Sequence, residues 1–252
     1  MDEGKIFAFE DNNKDSSKAK IFWFPTNKIE LNKLLDFLLS GKPKIQKEIH
    51  GLIVPHAGYA YSGEVAGRAY SLLNGKKLKK VILFGPSHYV GFKGLASLSN
   101  LETPLGKVKI KDNFYQKLPK EHSIQNQIPF LQKINKDIEI FPVVVGNISL
   151  KEAGEIAKQF ASEDALFVFS TDLSHFFSYE KAEKIDSETI KIIEDLDFKK
   201  LNKLDACGKF PLLIMMQLCK LKGWKPQLIE YKNSGDITHD KSSVVGYASF
   251  VF

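Results

Sequence analysis

Apolar residues in this chain form short unbroken runs and longer stretches in which they recur about every three or four positions. The short runs predict buried strands, and the recurrent spacing predicts helices with one apolar face. The predicted strands cover residues 48–54, 81–84, 95–98, 108–110, 138–145, 166–170, 227–232 and 243–250. The predicted helices cover residues 31–39, 63–73, 123–134 with an interruption at Pro129, 151–160, 179–196 and 212–221 behind Pro211.

Strands that alternate with helices predict an α/β fold. We expect one α/β domain over residues 21–252, with a mixed or mostly parallel central sheet flanked by helices. Residues 1–20 are polar and are predicted to be an irregular segment. A turn at Pro104-Leu105-Gly106 is expected to join the strands at 95–98 and 108–110.

Composition narrows the classes of protein. Of 252 residues, 43% are hydrophobic and 26% are charged, as in an ordinary folded domain. The net charge of +6 comes from lysines spread along the chain, so no nucleic-acid partner is expected. No apolar run approaches the roughly 18 residues of a membrane span, and the acidic start is unlike a signal peptide, so no membrane association is expected. With two cysteines, a reducing cytoplasmic location is the expectation.

Polar residues follow several predicted strands in the same way. His56 follows the first strand, Ser87 and His88 follow the second, and Asp172 and His175 follow the strand at 166–170. Open α/β sheets place their sites at the carboxyl ends of strands, and imidazole is both a frequent metal ligand and a general base. Two histidines with a thiolate or carboxylate on one rim would hold a divalent metal; hydrogen-bonded loop histidines are the alternative. Asp172 is expected either to accept the ring N–H of His175 or to cap the next turn.

Cys207 stands before a predicted helix. Gly208 and Pro211 indicate a turn into that helix, and a thiol at its N-terminus beside Lys209 is predicted to have a lowered pKa. Such a thiol suits a metal ligand or a nucleophile, and a small buried hydrophobe is the alternative. Cys219 lies in an apolar stretch and is predicted to be in the core.

Three further residues are pocket candidates. Tyr59 is expected either to line the pocket or to pack among other aromatic residues. Glu121 and His122 precede Ser123, a plausible helix N-cap, and either serve that helix end at the surface or approach the pocket.

Several segments together resemble the Memo family, which includes the B component of the AmmeMemoRadiSam system. The segments are PHAGY with the following YSG (55–63), GPSH (85–88), TPLG (103–106), EHS with IPFLQ (121–132), PVVVG (142–146), STDLSH (170–175) and CGKFP (207–211). Each is weak alone, but their order and spacing are specific. Residues 20–25, KIFWFP, are a degenerate version of the family's AGSWYP-like motif, and Gln125 stands where the family commonly has Glu.

The resemblance implies a fold like the catalytic subunit of class III extradiol dioxygenases, which hold non-haem Fe(II) with two histidines and a glutamate. By that likeness His56 and His88 match the metal histidines, and Cys207 stands at the position of the glutamate. His175, helped by Asp172, matches the acid/base histidine. One iron or copper ion is the implied cofactor, and a thiolate ligand favours softer metals, which counts against ring cleavage. The pocket residues expected around it are Tyr59, Ser87, Glu121 and His122.

Four functions stay open from the sequence. The first is a metal-dependent, redox-active protein that acts on a small substrate or O₂, and the second is an extradiol dioxygenase proper. The third is a non-catalytic module that captures a peptide or partner protein in a vestigial pocket. A thiol hydrolase built on Cys207 and His175 is the fourth, although the sequence supplies no obvious oxyanion device. The resemblance also implies a protein partner of the radical-SAM type.

Overall fold

Alternating strands and helices run through the part of the chain that the structure, a computed structural model, describes: residues 23–252 except 42, 44, 46, 47, 112 and 114. The segment predicted to be irregular, residues 1–20, lies outside this range. The strands are β1 (Gly51–Val54), β2 (Lys80–Pro86), β3 (Leu95–Leu98), β4 (Glu102–Thr103), β5 (Gly106–Lys107), β6 (Lys109–Ile110), β7 (Gln116–Leu118), β8 (Glu139–Val145), β9 (Leu166–Ser170), β10 (His175–Phe177), β11 (Gln227–Asn233) and β12 (Val244–Val251). The helices are α1 (Lys28–Leu38), α2 (Tyr59–Ser71), α3 (His122–Gln125), α4 (Ile128–Ile134), α5 (Leu150–Phe160), α6 (Tyr179–Asp195), α7 (Lys209–Lys222) and α8 (Ser234–Thr238), with a 3₁₀ turn at Leu201–Lys203.

A mixed sheet forms the centre of the fold. Its strand order is β10-β12-β1-β9-β2-β8-β3-β7, with β11 beside β12 and β6 beside β8. The neighbours β1, β9, β2 and β8 are parallel, whereas β12 and β3 run antiparallel on either side of them. The predicted α/β fold with a mixed, mostly parallel sheet is therefore confirmed. Parallel strands bring their carboxyl ends to one edge, and the loops that follow them meet there.

Each face of the sheet carries its own apolar cluster. Val81 and Leu83 of β2 pack in one cluster with α1, α2 and α4. Ile82 and Phe84 of the same strand pack in the other cluster with α5, α6 and α7. Because successive side chains of a strand point to opposite faces, a strand covered on both faces is apolar throughout. This double burial explains why the central strands appear in the sequence as unbroken apolar runs.

The helix predicted over residues 123–134 is two helices, α3 and α4. The break falls at Asn126 and Gln127 rather than at Pro129, which occupies the first turn of α4, where its missing N–H costs nothing. The side-chain amides of Asn126 and Gln127 donate to the carbonyls of His56 and Pro55, at 2.7 and 2.9 Å. Contacts with the loop after β1 therefore set the break.

The Pro-Leu-Gly turn joins β4 to β5, not the strands at 95–98 and 108–110 as predicted. The backbone of β3 pairs instead with β8 and β7. The residues of the predicted strand at 108–110 are found in part in β6, which pairs with β8. Because β3 and β6 pair with strands other than each other, the residues at the turn do not show which strands the turn joins. Strands β7 and β10 and helix α8 were not predicted.

Helices α1, α2 and α7 each begin three or four residues earlier than predicted. α2 starts at Tyr59, whose N–H donates to the Trp23 carbonyl at 2.8 Å. α7 starts at Lys209, so Pro211 lies within its first turn. Its long buried run, which contains the predicted core residue Cys219, packs against the sheet and α5. Among the helices of the described residues, none is long and apolar enough to cross a membrane.

Candidate metal centre

The loops after β1, β2 and β9 and the loop before α7 bring four predicted site residues to the carboxyl edge of the sheet. His56 is 2% exposed, and its Nε2 atom lies 3.2 Å from the Sγ atom of Cys207. The rings of His56 and His88 meet edge to face, with centroids 5.0 Å apart. Asp172 is the fourth member of the cluster, and its Oδ2 atom lies 3.9 Å from Nε2 of His56. His56 is thus the centre of the cluster.

His56 is held by a buried hydrogen-bond chain. Its Nδ1 atom lies 2.9 Å from Ser170 Oγ, and Ser170 Oγ accepts a hydrogen bond from the Gln127 amide at 2.9 Å. An Nδ1–H that donates to Ser170 leaves Nε2 as the acceptor that faces Cys207. Burial, followed by the nearby imidazoles of His88 and His122, lowers the pKa of His56 well below its ordinary value. The ring is therefore neutral near pH 7, which is the form that binds metals.

A buried carboxylate lies behind His88. Glu121 accepts from the Nδ1 atom of His88 at 2.9 Å and from its backbone N–H at 2.7 Å. Because an ionised carboxylate only accepts, Nδ1 carries the proton and Nε2 is free to bind a ligand. Glu121 also caps α3 by accepting from the N–H of Ser123, so Glu121, not Ser123, is the N-cap. Burial raises the pKa of Glu121, but its contacts with His122 and His88 outweigh burial and hold that pKa well below the usual range.

Asp172 contacts His56 rather than His175. Its Oδ1 atom accepts from the backbone N–H groups of His56 and Ala57, at 2.7 and 3.3 Å. Burial raises the pKa of its carboxyl. The expectation that Asp172 accepts the ring proton of His175 is wrong, because Nδ1 of His175 donates to the Leu173 carbonyl at 2.7 Å. Neutral His175 therefore presents Nε2 as a proton acceptor.

The pKa of Cys207 is raised, not lowered as predicted. The pKa is raised mainly by desolvation of the partly buried thiol and also by the carboxylate of Asp172 beside it. The N–H of Asp172 donates to Sγ at 3.2 Å, but this contact does not offset the other two effects. A thiol with a raised pKa is neutral near pH 7 and is not an activated nucleophile. This state counts against the thiol-hydrolase reading.

Two sets of possible ligand atoms lie within 4.8 Å of one another: His56 with His88 and His122, and His56 with Asp172 and Cys207. Both sets contain His56. Neither contains both His88 and Cys207, so the expected trio of His56, His88 and Cys207 is not one close group. Imidazole, thiol and carboxylate donors together fit iron or copper, which accept ligands of intermediate softness. The structure thus supports a metal site and does not select the metal.

Two predicted pocket residues shape the walls instead of facing His56. Tyr59 is 4% exposed, packs on Phe130 and donates its hydroxyl to the Asn126 carbonyl at 2.7 Å. This is the aromatic-packing alternative. Ser87 donates its hydroxyl to the Val90 carbonyl at 2.6 Å and so shapes the loop that carries His88.

Sequence reasoning did not single out Trp23 and named His122 only as a pocket residue. Trp23 stacks on the His122 ring, with centroids 4.5 Å apart and planes 7° apart. Trp23 lies in the degenerate KIFWFP segment, and His122 lies in the EHS segment. Those two motifs were the signals that could have placed both residues at the site.

Fold and site define a class of α/β protein with a histidine-rich, potential metal-binding cluster at the carboxyl edge of its sheet. A family model described as "Memo-like protein" matches residues 19–251. The chain therefore belongs to the Memo family, as its motifs suggested.

Relatives from distant organisms support this assignment. The chain is 34% identical over 260 residues to a MEMO1 family protein of Aquifex aeolicus, a match that covers 91% of this chain and 96% of the relative. A MEMO1 family protein of Archaeoglobus fulgidus is 32% identical over 235 residues, covering 83% and 89%. One of Methanosarcina acetivorans is 34% identical over 257 residues, covering 91% and 95%. The similarity thus spans nearly the whole length of these proteins.

Proposed function

We propose that this protein binds one iron or copper ion at the edge of the sheet and uses it to act on a small substrate or O₂. The observation that carries the proposal is the position of His56, which belongs to both close donor groups and lies 3.2 Å from Cys207. His88 and Cys207, each of which contacts His56, are the proposed further ligands. A bound iron or copper ion would supply Lewis acidity and one-electron redox chemistry.

The surrounding residues have distinct proposed tasks. Glu121 keeps the Nδ1 proton of His88 away from the pocket and leaves its Nε2 atom available, and Ser170 holds the His56 ring through its Nδ1 atom. Asp172 fixes the backbone of the His56 loop. His175 has its Nδ1 proton committed to the Leu173 carbonyl, so its Nε2 atom accepts a proton from a bound substrate and later returns it.

Metal content tests the proposal. The protein is purified under anaerobic conditions without a histidine tag, and metals are measured by elemental mass spectrometry. We expect nearly one iron or copper ion per chain, and its loss in His56→Ala and in Cys207→Ala. A matched control is Cys219→Ala, which removes the thiol buried in α7, away from the site. Absence of metal, or metal content that is indifferent to both site variants, would reject the proposal.

A second candidate function, a binding module without catalysis, is favoured by two exposed aromatic residues. Tyr89 is 48% exposed and lies beside the His122 ring, with centroids 5.5 Å apart. Phe176 is 75% exposed, lies beside His175 and has a left-handed backbone with φ of 63°. Exposed aromatic side chains at a pocket are typical of surfaces that bind a peptide or partner. This function predicts ligand binding that survives His56→Ala and Cys207→Ala.

Oxygen uptake distinguishes an extradiol dioxygenase from the proposed metal-dependent protein and from a binding module without catalysis. An extradiol dioxygenase consumes O₂ when a catechol is added, and the consumption depends on the metal. The replacement of a carboxylate ligand by Cys207 predicts no such uptake with catechols. Rapid catechol-dependent uptake would establish the dioxygenase function.

A further inference from the structure

His122 is placed like a ligand rather than like a wall residue. It is the third member of the close group with His56 and His88, whose possible ligand atoms all lie within 4.8 Å of one another. Its ring lies edge to face with His56 at 5.3 Å and tilted against His88 at 4.3 Å. Three imidazoles whose possible ligand atoms lie this close form a donor set of the kind that holds a divalent metal with open positions.

The ring of His122 is also held rigidly. Trp23 stacks on it with planes 7° apart, and the side chain is only 12% exposed. Its Nδ1 atom is buried and lies 3.3 Å from the carboxylate oxygen Oε1 of Glu121. This approach of Nδ1 to a carboxylate leaves Nε2 as the ring nitrogen that is available to a ligand.

One carboxylate serves two of the three rings. Glu121 accepts from His88 and also lies against His122, and it is fully buried. A carboxylate behind a histidine fixes its ring and makes it a stronger ligand. The segment Glu121-His122 thus brings both an imidazole and its support to the group that contains His56 and His88.

From these contacts we infer that His122 is a direct metal ligand, which together with His56 and His88 forms a three-imidazole site. The inference rests on the proposed function, because it names a ligand of the same ion. It places the ion among these three nitrogen donors. Cys207, which contacts His56, is then an additional or alternative donor.

Co(II) is the probe for this inference, because its visible absorption reports coordination number and its near-ultraviolet absorption reports bound thiolate. Tag-free protein is titrated with Co(II), and X-ray absorption counts the imidazole ligands. In His122→Phe, which keeps a ring to stack on Trp23, we expect Co(II) affinity at least about tenfold weaker, since loss of a mere supporting group costs about that much. The imidazole count should fall by one.

The matched control is His50→Phe. His50 is also stacked on a tryptophan, Trp224, with centroids 4.3 Å apart, but on β1's opposite end. The His50→Phe variant should bind Co(II) with the same affinity as the wild type. His122→Gln, which is smaller and polar, replaces His122→Phe if circular dichroism shows that the latter is unfolded.

The outcomes separate the two proposals. Wild-type affinity and an unchanged imidazole count in a folded His122 variant would overturn the inference and leave the proposed metal function intact. A wild-type protein that binds neither Co(II) nor iron nor copper would reject both. Weaker binding with one imidazole fewer, in the His122 variant alone, would support both.

Discussion

At the scale of single residues, the site depends on where protons are held. His88 and His175 each face an acceptor that cannot donate, the Glu121 carboxylate and the Leu173 carbonyl. Both rings therefore keep the proton on Nδ1 when neutral and present Nε2 to the pocket. Histidine in this fixed state is ready either to bind a metal or to accept a proton, and no rearrangement is needed first.

Glu121 should therefore control metal affinity without touching the metal. In Glu121→Gln, the amide oxygen can still accept from Nδ1 of His88, but the negative charge that strengthens this ligand is lost and the acceptor for the His88 backbone N–H becomes a donor. We expect iron or Co(II) affinity to fall roughly 10- to 100-fold. Competition with a chelator of known affinity measures the change. Glu188→Gln, an exposed glutamate on α6, is the control and should bind like the wild type; equal affinities in the two variants would contradict the role of Glu121.

Asp186 is a third buried carboxyl, outside the site. It accepts from the N–H of Ser174 at 3.0 Å and from the Tyr231 hydroxyl at 2.8 Å, and Gly246 leaves room for it. Burial raises the pKa of Asp186 above its ordinary value, although these two hydrogen bonds lower it. The carboxyl therefore gives up its proton less readily in the folded chain than in the unfolded chain.

The raised pKa of Asp186 predicts a pH dependence of stability. Below about pH 4 the group is protonated in both states. As pH rises, the unfolded chain releases its proton first, so the stabilising contribution of Asp186 is lost as pH passes through its folded-state pKa. The free energy of unfolding of the wild type, relative to Asp186→Asn, should fall as pH rises from 4 towards 7. Urea unfolding at several pH values measures this, and a difference that is constant or grows with pH would show that the sign is wrong.

At the scale of elements, close packing of α1 on α2 depends on Gly67. A Cβ atom there would lie 2.4 Å from the carbonyl oxygen of Leu38, a backbone atom that cannot move alone. Gly67→Ala should therefore destabilise the fold by about 1–3 kcal/mol despite its better helix propensity. Gly154 in α5 is the matched helical glycine, because a Cβ atom there meets only Gln217 side-chain atoms, the nearest at 3.7 Å.

Gly154→Ala should stabilise the protein by up to about 1 kcal/mol, since it gains helix propensity without a clash. Thermal and urea unfolding of both variants test the pair. If Gly67→Ala were as stable as Gly154→Ala, the contact between α1 and α2 would be looser than described.

The same scale shows what the sequence could and could not predict. The central strands were predictable because burial on both faces makes β2 and β8 unbroken apolar runs. The split between α3 and α4 was not, because Asn126 and Gln127 end the helix through bonds to the distant loop after β1. His56 and His88 directly follow predicted strands, and this position indicated the site. His122 follows no predicted strand, and it is held at the site by packing against Trp23.

At the scale of the whole molecule, the site exists only when the sheet is assembled. His56 and Cys207 are 151 positions apart in sequence, yet they are in contact. The strand order β1-β9-β2 brings together the loops that follow these three strands, and β9 lies between the two strands whose loops carry His56 and His88. The unfolded chain holds no such arrangement, so an ion that binds the assembled cluster more tightly than it binds the unfolded chain stabilises the folded state.

This coupling makes thermal stability a direct measure of the site. Iron(II) at about a hundredfold excess over its dissociation constant should add about 2.7 kcal/mol. For a chain of this size each kcal/mol raises the Tm by roughly 2–4 °C, so we expect a rise of about 5–10 °C under anaerobic conditions. His56→Ala should abolish the rise, because His56 is common to both donor groups. His50→Ala, which alters a histidine at the other end of β1, should retain it. A Tm that iron(II) and copper(I) leave unchanged in the wild type would mean that the cluster holds no such metal, and the exposed aromatic residues Tyr89 and Phe176 would then be the better guide to function.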